Sequence, residues 1–315
     1  MTQSRMRVRE SQVAYGEASV DRGTKSDILY PYSIFDLHTR RPILPVLHTN
    51  LGLLYRTDCM NLLSSIQDGA IDCIFADPPF NLGKDYGQGQ GRDLLQKNEY
   101  LDWCRTWIKE AIRVLKPGGA FFIYMLPRWA FHLAGFLEER GMNFRHWIAL
   151  CMKGTFPRGK RLYPAHYAIL YFTKGLPAVF NRVRLPIPKC RHCGGDIKDY
   201  GGHRKYLNPL GLNLTDFWED TAPARHSKFK TRWHINELKP MISERCLAIA
   251  TLPDQIVIDP FGGGGSTYEA AQTLRRYWLG TELSTVEPIV ARMKQRFALS
   301  VALMPPERFR YIWRT

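Results

Sequence analysis

Apolar residues fall along this chain in two alternating patterns. The segment IDCIFA (71–76) is short and almost continuously apolar, as expected of a strand buried on both faces. It runs into Asp77-Pro78-Pro79, which cannot continue a ladder. From Glu99 to Lys116 the apolar positions are 100/101, 104, 107/108, 111/112 and 115, a stripe with the 3.6-residue period of a helix. Pro117-Gly118-Gly119 is expected to stop that helix, and AFFIYML (120–126) reads as the next buried strand. A helix over about 129–140 and strands near 144–151 and 165–173 follow. The alternation breaks at Gly175 and stays broken to about Trp233, in sequence rich in Pro, Gly and basic residues. It resumes with a helix at 238–250, a strand at 255–259, a glycine run, a helix at 266–275, a strand at 277–282 and a helix at 286–299.

Strands and helices that alternate in this way predict an α/β fold with a mostly parallel sheet. The simplest account is one sheet whose halves are separated in sequence by an insertion. The expected parts are an extension over 1–45, a first half over 46–174, the insertion over 175–233, a second half over 234–300 and a tail over 301–315.

Charge sharpens this picture. The 315 residues carry 44 Lys or Arg against 29 Asp or Glu, a net charge of +15 and a pI near 9.6. Between Cys151 and Trp233 there are sixteen basic and five acidic residues, so eleven of those charges sit in and just before the insertion. Such a surplus points to a polyanion, nucleic acid before membrane. Interleaved aromatics and amides (Phe156, Tyr163, Tyr200, Tyr206, Asn208, Asn213, Phe217, Trp218) favour a face that touches phosphates and bases over a merely solvated loop. The most apolar stretch, Ala120 to Phe136, is interrupted by Pro127 and Arg128 and is too short for a bilayer span. The first ten residues contain no apolar signal region, and the seven cysteines are odd in number and scattered, so a cytoplasmic protein with reduced thiols is expected.

Two segments carry chemistry. Asp77-Pro78-Pro79-Phe80 lies at the carboxyl end of a buried strand, the edge where open α/β sheets bind ligands. Asp259-Pro260-Phe261-Gly262-Gly263-Gly264-Gly265-Ser266 follows the strand QIVID and precedes a helix, and its glycines let a ligand approach the backbone. Glu282 ends the next strand, where a nucleotide-binding βαβ unit keeps the acid that holds ribose hydroxyls. No Walker lysine follows the glycines, which argues against an NTPase site.

These motifs resemble those of the permuted β-class DNA amino-methyltransferases. DPPF matches that family's catalytic tetrapeptide. DPFGGGGS matches its S-adenosylmethionine (AdoMet) loop, with Phe261, Gly263 and Gly265 at the signature positions. HINELKP (234–240) resembles the segment that closes over the methionine end of AdoMet, which brings in Lys239 and Pro240. The resemblance covers about residues 50–300 and implies a circularly permuted Rossmann-like fold with an inserted target-recognition region. It also implies roles. Asp77 and the Pro78 carbonyl accept hydrogen bonds from the target amine, Pro79 completes the rigid turn, and Phe80 stacks on a flipped base. Asp259, Pro260, Ser266 and Thr267 belong with the cofactor loop. Asp58 resembles the acid near the cofactor adenine, with a helix N-cap as its plain alternative. An Asp at the first position accompanies adenine-N6 activity more often than cytosine-N4 activity, so duplex DNA methylated at adenine N6 is the expectation. Cytosine N4, RNA as substrate, and a nucleic-acid-binding protein with a degenerate methylase domain are the rivals. A homodimer and a cognate restriction endonuclease are the further partners the resemblance suggests.

Some features stand outside it. Cys190 and Cys193, in CRHCGG, have the shape of a zinc knuckle, but a structural zinc needs four ligands. His192, His203, His226 and Cys246 are the available partners, none with decisive spacing, and a pair of reduced cysteines in a turn is the alternative. His38, His132 and His166 have no tie to a site. Trp103 and Trp107 read as core by periodicity, with a place near the cofactor as the alternative.

Overall fold

The computed structural model describes residues 34, 45–83, 94–152, 160, 162, 165–190, 192–196, 198–199, 201–221 and 238–297. The chain divides into two compact units, one containing Arg182–Thr215 and the other containing Asp27–Asn181 with Asp216–Thr315.

The strands are β1 (Leu47–His48), β2 (Gly52–Tyr55), β3 (Ile71–Ala76), β4 (Leu115–Met125), β5 (Asn143–Cys151) and β6 (His166–Thr173). Then come β7 (Arg184–Leu185) and β8 (Leu212–Asn213), which belong to the smaller unit, and β9 (Phe217–Trp218), β10 (Ile256–Asp259) and β11 (Tyr277–Thr281). The larger unit is built on one sheet. Among the described residues its strand order is β1-β2-β11-β10-β3-β4-β6-β5-β9. The five from β2 to β4 run parallel, and β6 lies antiparallel to both β4 and β5. The helices are α1 (Cys59–Ser65), α2 (Lys97–Val114), α3 (Pro127–Glu139), α4 (Pro240–Ala250), α5 (Ser266–Thr273) and α6 (Glu287–Phe297). This is the expected Rossmann-like α/β architecture.

The join between the two halves of the sequence is β10 against β3. Val257 pairs with Cys73 and Ile258 with Ile74, although more than 180 residues separate them. Each strand is buried on both faces, so its apolar run finds partners only inside a covered sheet. Helix α4 packs on β3 and β4, α5 packs on β10 and β11, and α2 lays Trp107 against Phe121 of β4. In α2 the buried positions are Tyr100, Leu101, Cys104, Trp107, Ile108, Ala111 and Val114, and a reciprocal Gln96–Glu99 capping box starts the helix.

Two expectations need correction. Pro117-Gly118-Gly119 does not separate helix from strand, because β4 already begins at Leu115. Leu115 pairs with Ile71 and Ala120 with Cys73, so residues 116–119 of β4 stand opposite Asp72 alone. The proline, which has no N–H to give a ladder, sits in this bulge beside Gly118 at φ 80°. Trp218, expected on a base-contacting face, is instead buried in the larger unit, where β9 pairs with β5. Phe156, Tyr163 and Tyr200 lie outside the described residues.

In the smaller unit, β7 and β8 form a short antiparallel ladder. The Arg184 guanidinium bonds the Gly211 carbonyl. Tyr206, Leu210 and Leu207 are exposed there, and Arg182–Thr215 holds seven Lys or Arg against two Asp. No described helix is long and apolar enough to cross a membrane.

Candidate functional site

The Asp77 turn and the glycine loop emerge at the carboxyl ends of adjacent parallel strands. In the β10–β3 register Asp259 comes level with Phe75, and Asp77 follows two residues beyond. The strand order reverses here, since β3 leads outward to β4 on one side and β10 leads to β11 on the other. Such a switch point opens a crevice between the diverging connections.

The Asp77–Phe80 turn is held by side chains from α2 and α3. The Tyr100 hydroxyl donates to the Pro79 carbonyl at 2.6 Å. The Trp129 indole N–H donates to the Phe80 carbonyl at 2.9 Å, and Arg128 donates to the Asn81 carbonyl at 3.1 Å. Asn81, at φ 56°, also pins the turn to Leu95, whose amide donates to its side-chain oxygen at 2.7 Å while its amide nitrogen donates back to the Leu95 carbonyl at 2.9 Å. The Phe80 ring lies 5.6 Å from the Tyr124 ring and 5.8 Å from the Tyr167 ring, and those two are 5.1 Å apart. Burial pushes the Tyr124 hydroxyl well above the ordinary tyrosine pKa, and the Asp77 charge adds to this. Tyr124 therefore stays protonated within electrostatic reach of the Asp77 carboxylate.

The glycine loop is equally fixed. Gly262 donates its amide to the Thr281 carbonyl at 2.7 Å, and Gly265 donates to the Gly262 carbonyl at 2.8 Å. The Thr281 hydroxyl holds the Pro260 carbonyl at 2.7 Å, and Arg292 from α6 holds that of Gly264 at 2.6 Å. A side chain at Gly262 would meet the Thr281 carbonyl at 2.8 Å, whereas a Cβ at Gly263 would meet nothing within 4 Å. The loop thus packs tightly on its inner side and is open at Gly263. Gly265, at φ 78°, caps α5, which begins with Ser266 and Thr267.

Two acids serve this loop. Asp259 is buried and accepts from the Phe261 amide at 2.9 Å. Burial raises its pKa to about 7, opposed by the Thr267 hydrogen bond. Glu282 accepts from the Gly263 amide at 2.9 Å on one oxygen and from the amide and hydroxyl of Ser284 on the other, at 2.9 and 2.8 Å. The Phe261 ring meets the buried Trp107 edge-on at 5.1 Å and the half-buried Trp103 at 5.8 Å, so both tryptophans lie against the loop.

The remaining candidates separate. Asp58 is the N-cap of α1 and accepts from the Met60 amide at 2.8 Å. Lys239 is the N-cap residue of α4, its amine 3.4 Å from the Asp220 carbonyl, and Pro240 is the first residue of that helix. The zinc expectation finds no support. Among the described residues no three or more His, Cys, Asp or Glu gather as a metal site. Cys190 and Cys193 lie in a turn closed by the Cys190 amide on Gly195 and the Gly194 amide on Cys190, and Cys246 is buried in α4. His226 lies outside the described residues. All seven cysteines are free thiols.

Sequence reasoning misses Tyr100, Trp129, Arg128, Tyr124, Tyr167 and Arg292 as site residues. The only signal for Tyr100 and Trp129 is a polar atom on an otherwise apolar helix face, which buried Tyr and Trp must satisfy somewhere.

Comparison with known proteins gives the family and the fold. The chain is 44% identical over 265 residues to the Type II methyltransferase M.BamHI of Bacillus amyloliquefaciens, covering 83% of this chain and 61% of that protein. It is 30% identical over 230 residues to the Type II methyltransferase M.HpaI of Haemophilus parainfluenzae, covering 72% and 69%. The chain therefore spans less than two thirds of the M.BamHI length. Among solved structures, PvuII DNA methyltransferase (cytosine-N4-specific) superposes with a TM-score of 0.60 at 19% identity, covering 86% of this chain and 94% of that one. A DNA modification methylase of Thermus thermophilus, complexed with S-adenosyl-L-methionine, gives 0.52 at 19% identity over 77% and 95%. At these identities the likeness speaks to the fold. The model of the DNA methylase family of N6 and N4 type matches residues 71–287, from the strand before Asp77 to the helix after Glu282, and the chain belongs to that family.

Proposed function

We propose that this protein transfers a methyl group from AdoMet to the exocyclic amine of a base in duplex DNA, adenine N6 in the first instance, as the modification enzyme of a restriction–modification pair. The observation that carries this reading is the juxtaposition of Asp77 and the glycine loop at the ends of β3 and β10. On this reading an amine-binding carboxylate and a nucleotide-binding loop would share one crevice.

The loop fits the cofactor. Gly263 is open to a ligand, Glu282 presents a carboxylate at the end of β11, and Phe261 is braced from behind. Glu282 would take the ribose hydroxyls, and Asp259 with Phe261, Gly263 and Gly265 would hold the rest, with Asp58, Lys239 and Pro240 at its periphery. Bound there, AdoMet supplies an electrophilic methyl group on a sulfonium.

The protein's task is to make a poor nucleophile attack. The lone pair of an exocyclic amine is delocalised into the ring. Two fixed acceptors, the Asp77 carboxylate and the Pro78 carbonyl, would bind the amine hydrogens and favour the pyramidal nitrogen. The carbonyls of Pro79, Phe80 and Asn81 are already bonded within the protein. Phe80, backed by Tyr124 and Tyr167, offers a flat surface to a base swung out of the duplex. The basic residues of the insertion would hold the phosphates.

Adenine is favoured by Asp at the head of the tetrapeptide, on the resemblance noted above. Cytosine N4 is the second reading, because the acceptor pair does not depend on ring size and the PvuII enzyme of this fold carries that specificity in its name. Incubation with labelled AdoMet and duplex DNA, digestion to nucleosides and identification of the methylated product tests the proposal. N6-methyladenine is the expected product. N4-methylcytosine would overturn the adenine assignment alone, and absence of any methylated amine would overturn the function.

A further inference from the structure

Tyr100 does two things at once. Its hydroxyl bonds the Pro79 carbonyl of the catalytic turn. Its ring lies 4.7 Å from Trp129, which bonds the next carbonyl, and 5.8 Å from Trp103, which in turn lies 5.8 Å from Phe261 of the glycine loop. Tyr100 is 2% exposed, on the buried stripe of α2. A bulk core role would be met by phenylalanine, yet the hydroxyl is aimed at a turn carbonyl one residue from the proposed amine acceptor.

We infer that Tyr100 and Trp129 are positioning residues that aim the Pro78 carbonyl and the Asp77 carboxylate at the target amine, by holding the carbonyls of Pro79 and Phe80 from behind. The physical argument is geometric. A turn between a strand end and Asn81 has few internal hydrogen bonds to define it, and Pro78 and Pro79 have no N–H with which to make any. Its peptide planes are therefore set by whatever grips the carbonyls. With Pro79 and Phe80 gripped, the preceding Pro78 carbonyl is linked to them through Pro79, whose ring fixes φ, and Pro78 fixes the φ that links it back to Asp77. Because α2 also carries Trp103 and Trp107 against Phe261, one helix face references both the amine acceptors and the cofactor loop. The two lie far apart in sequence but need a fixed separation for in-line transfer. Neither residue touches the reacting atoms, so their effect is on the rate of the chemical step rather than on cofactor affinity.

This inference rests on the methyltransferase reading of the site. It is tested with Tyr100→Phe, which keeps the ring and removes only the donor, and with Trp129→Phe, which keeps an aromatic ring but removes the indole N–H together with part of the ring volume. Single-turnover methylation is measured at saturating AdoMet and DNA, and AdoMet Kd by calorimetry. The expected result is a rate lowered about tenfold or more in each variant, as small misplacements of reacting groups cost up to about a hundredfold, with AdoMet Kd within about twofold of wild type, since no donor is removed from the glycine loop. Unchanged rates in both variants would overturn the inference. So would a loss that appears in AdoMet affinity to the same extent, because that marks general loosening of the core. If the wild type itself transfers no methyl group, the reading of the site fails instead.

Discussion

The amide of Gly263 donates to a carboxylate oxygen of Glu282 across 2.9 Å, tying the glycine loop to the end of the neighbouring strand. The other oxygen of Glu282 is held by Ser284. The acid that sequence position assigns to ribose is therefore also a brace for the loop, and its charge is oriented before any ligand arrives. Glu282→Ala removes both functions. AdoMet affinity should fall at least about tenfold, the equivalent of one charge-assisted hydrogen bond, with maximal methylation rate less affected. Calorimetry checks this, and an unchanged Kd removes Glu282 from the site.

Asp259 makes stability depend on pH. Burial raises its pKa from 3.8 to about 7, so the folded protein holds this proton more tightly than the unfolded chain. The stabilisation is fully present below 3.8 and is lost as pH rises through about 7. Without ligand, the melting temperature of wild type should decline relative to Asp259→Asn as pH is raised from acid to neutral. Parallel curves for the two proteins would mean that Asp259 does not titrate in this window.

Arg245 is fully buried in α4 and bonds Asp220, at 2.8 Å through one nitrogen, beside the Trp218 ring at 5.3 Å. Asp220 is held below the usual carboxylate range, first by its hydrogen bond to Arg245. Removing the acid strands a buried guanidinium. Asp220→Ala should cost about 2–3 kcal/mol in urea unfolding, less than a fully buried pair because Asp220 is partly exposed. Adding Arg245→Met to it should restore part of the loss. A loss that stays the same in the double variant would refute the charge argument.

The placement of the Asp77 turn and the Asp259 loop at one sheet edge is legible in the sequence because their signals are local. Each acid follows a short apolar strand and heads a Pro- or Gly-containing turn, so strand polarity alone brings both to one edge. The supports were not legible. Tyr100 and Trp129 fall on apolar helix stripes, and which carbonyl their polar atoms reach depends on packing between α2, α3 and β3. The expectation for Trp218 fails for the same reason. A basic, loop-rich neighbourhood suggests a surface role, but a two-residue strand pairing with β5 buries it. The β4 bulge was hidden because Pro-Gly-Gly signals a break whether it ends an element or interrupts one.

The surplus of basic residues between 151 and 233 should make DNA binding strongly dependent on salt. Affinity should fall steeply between low and physiological ionic strength, while AdoMet affinity should hardly change, because binding a small ligand releases no condensed counterions from a polyanion. Fluorescence anisotropy with a labelled duplex checks the first and calorimetry the second. A DNA affinity insensitive to salt would take the phosphate-binding role away from the insertion.

The most direct measurement is methyl transfer from labelled AdoMet to duplex DNA by wild type and Asp77→Ala side by side, with AdoMet Kd determined for both. The wild type should label the amino group of a base. Asp77→Ala should bind AdoMet with near wild-type affinity and transfer essentially nothing. Near wild-type turnover by Asp77→Ala would contradict the assignment of the amine-binding site.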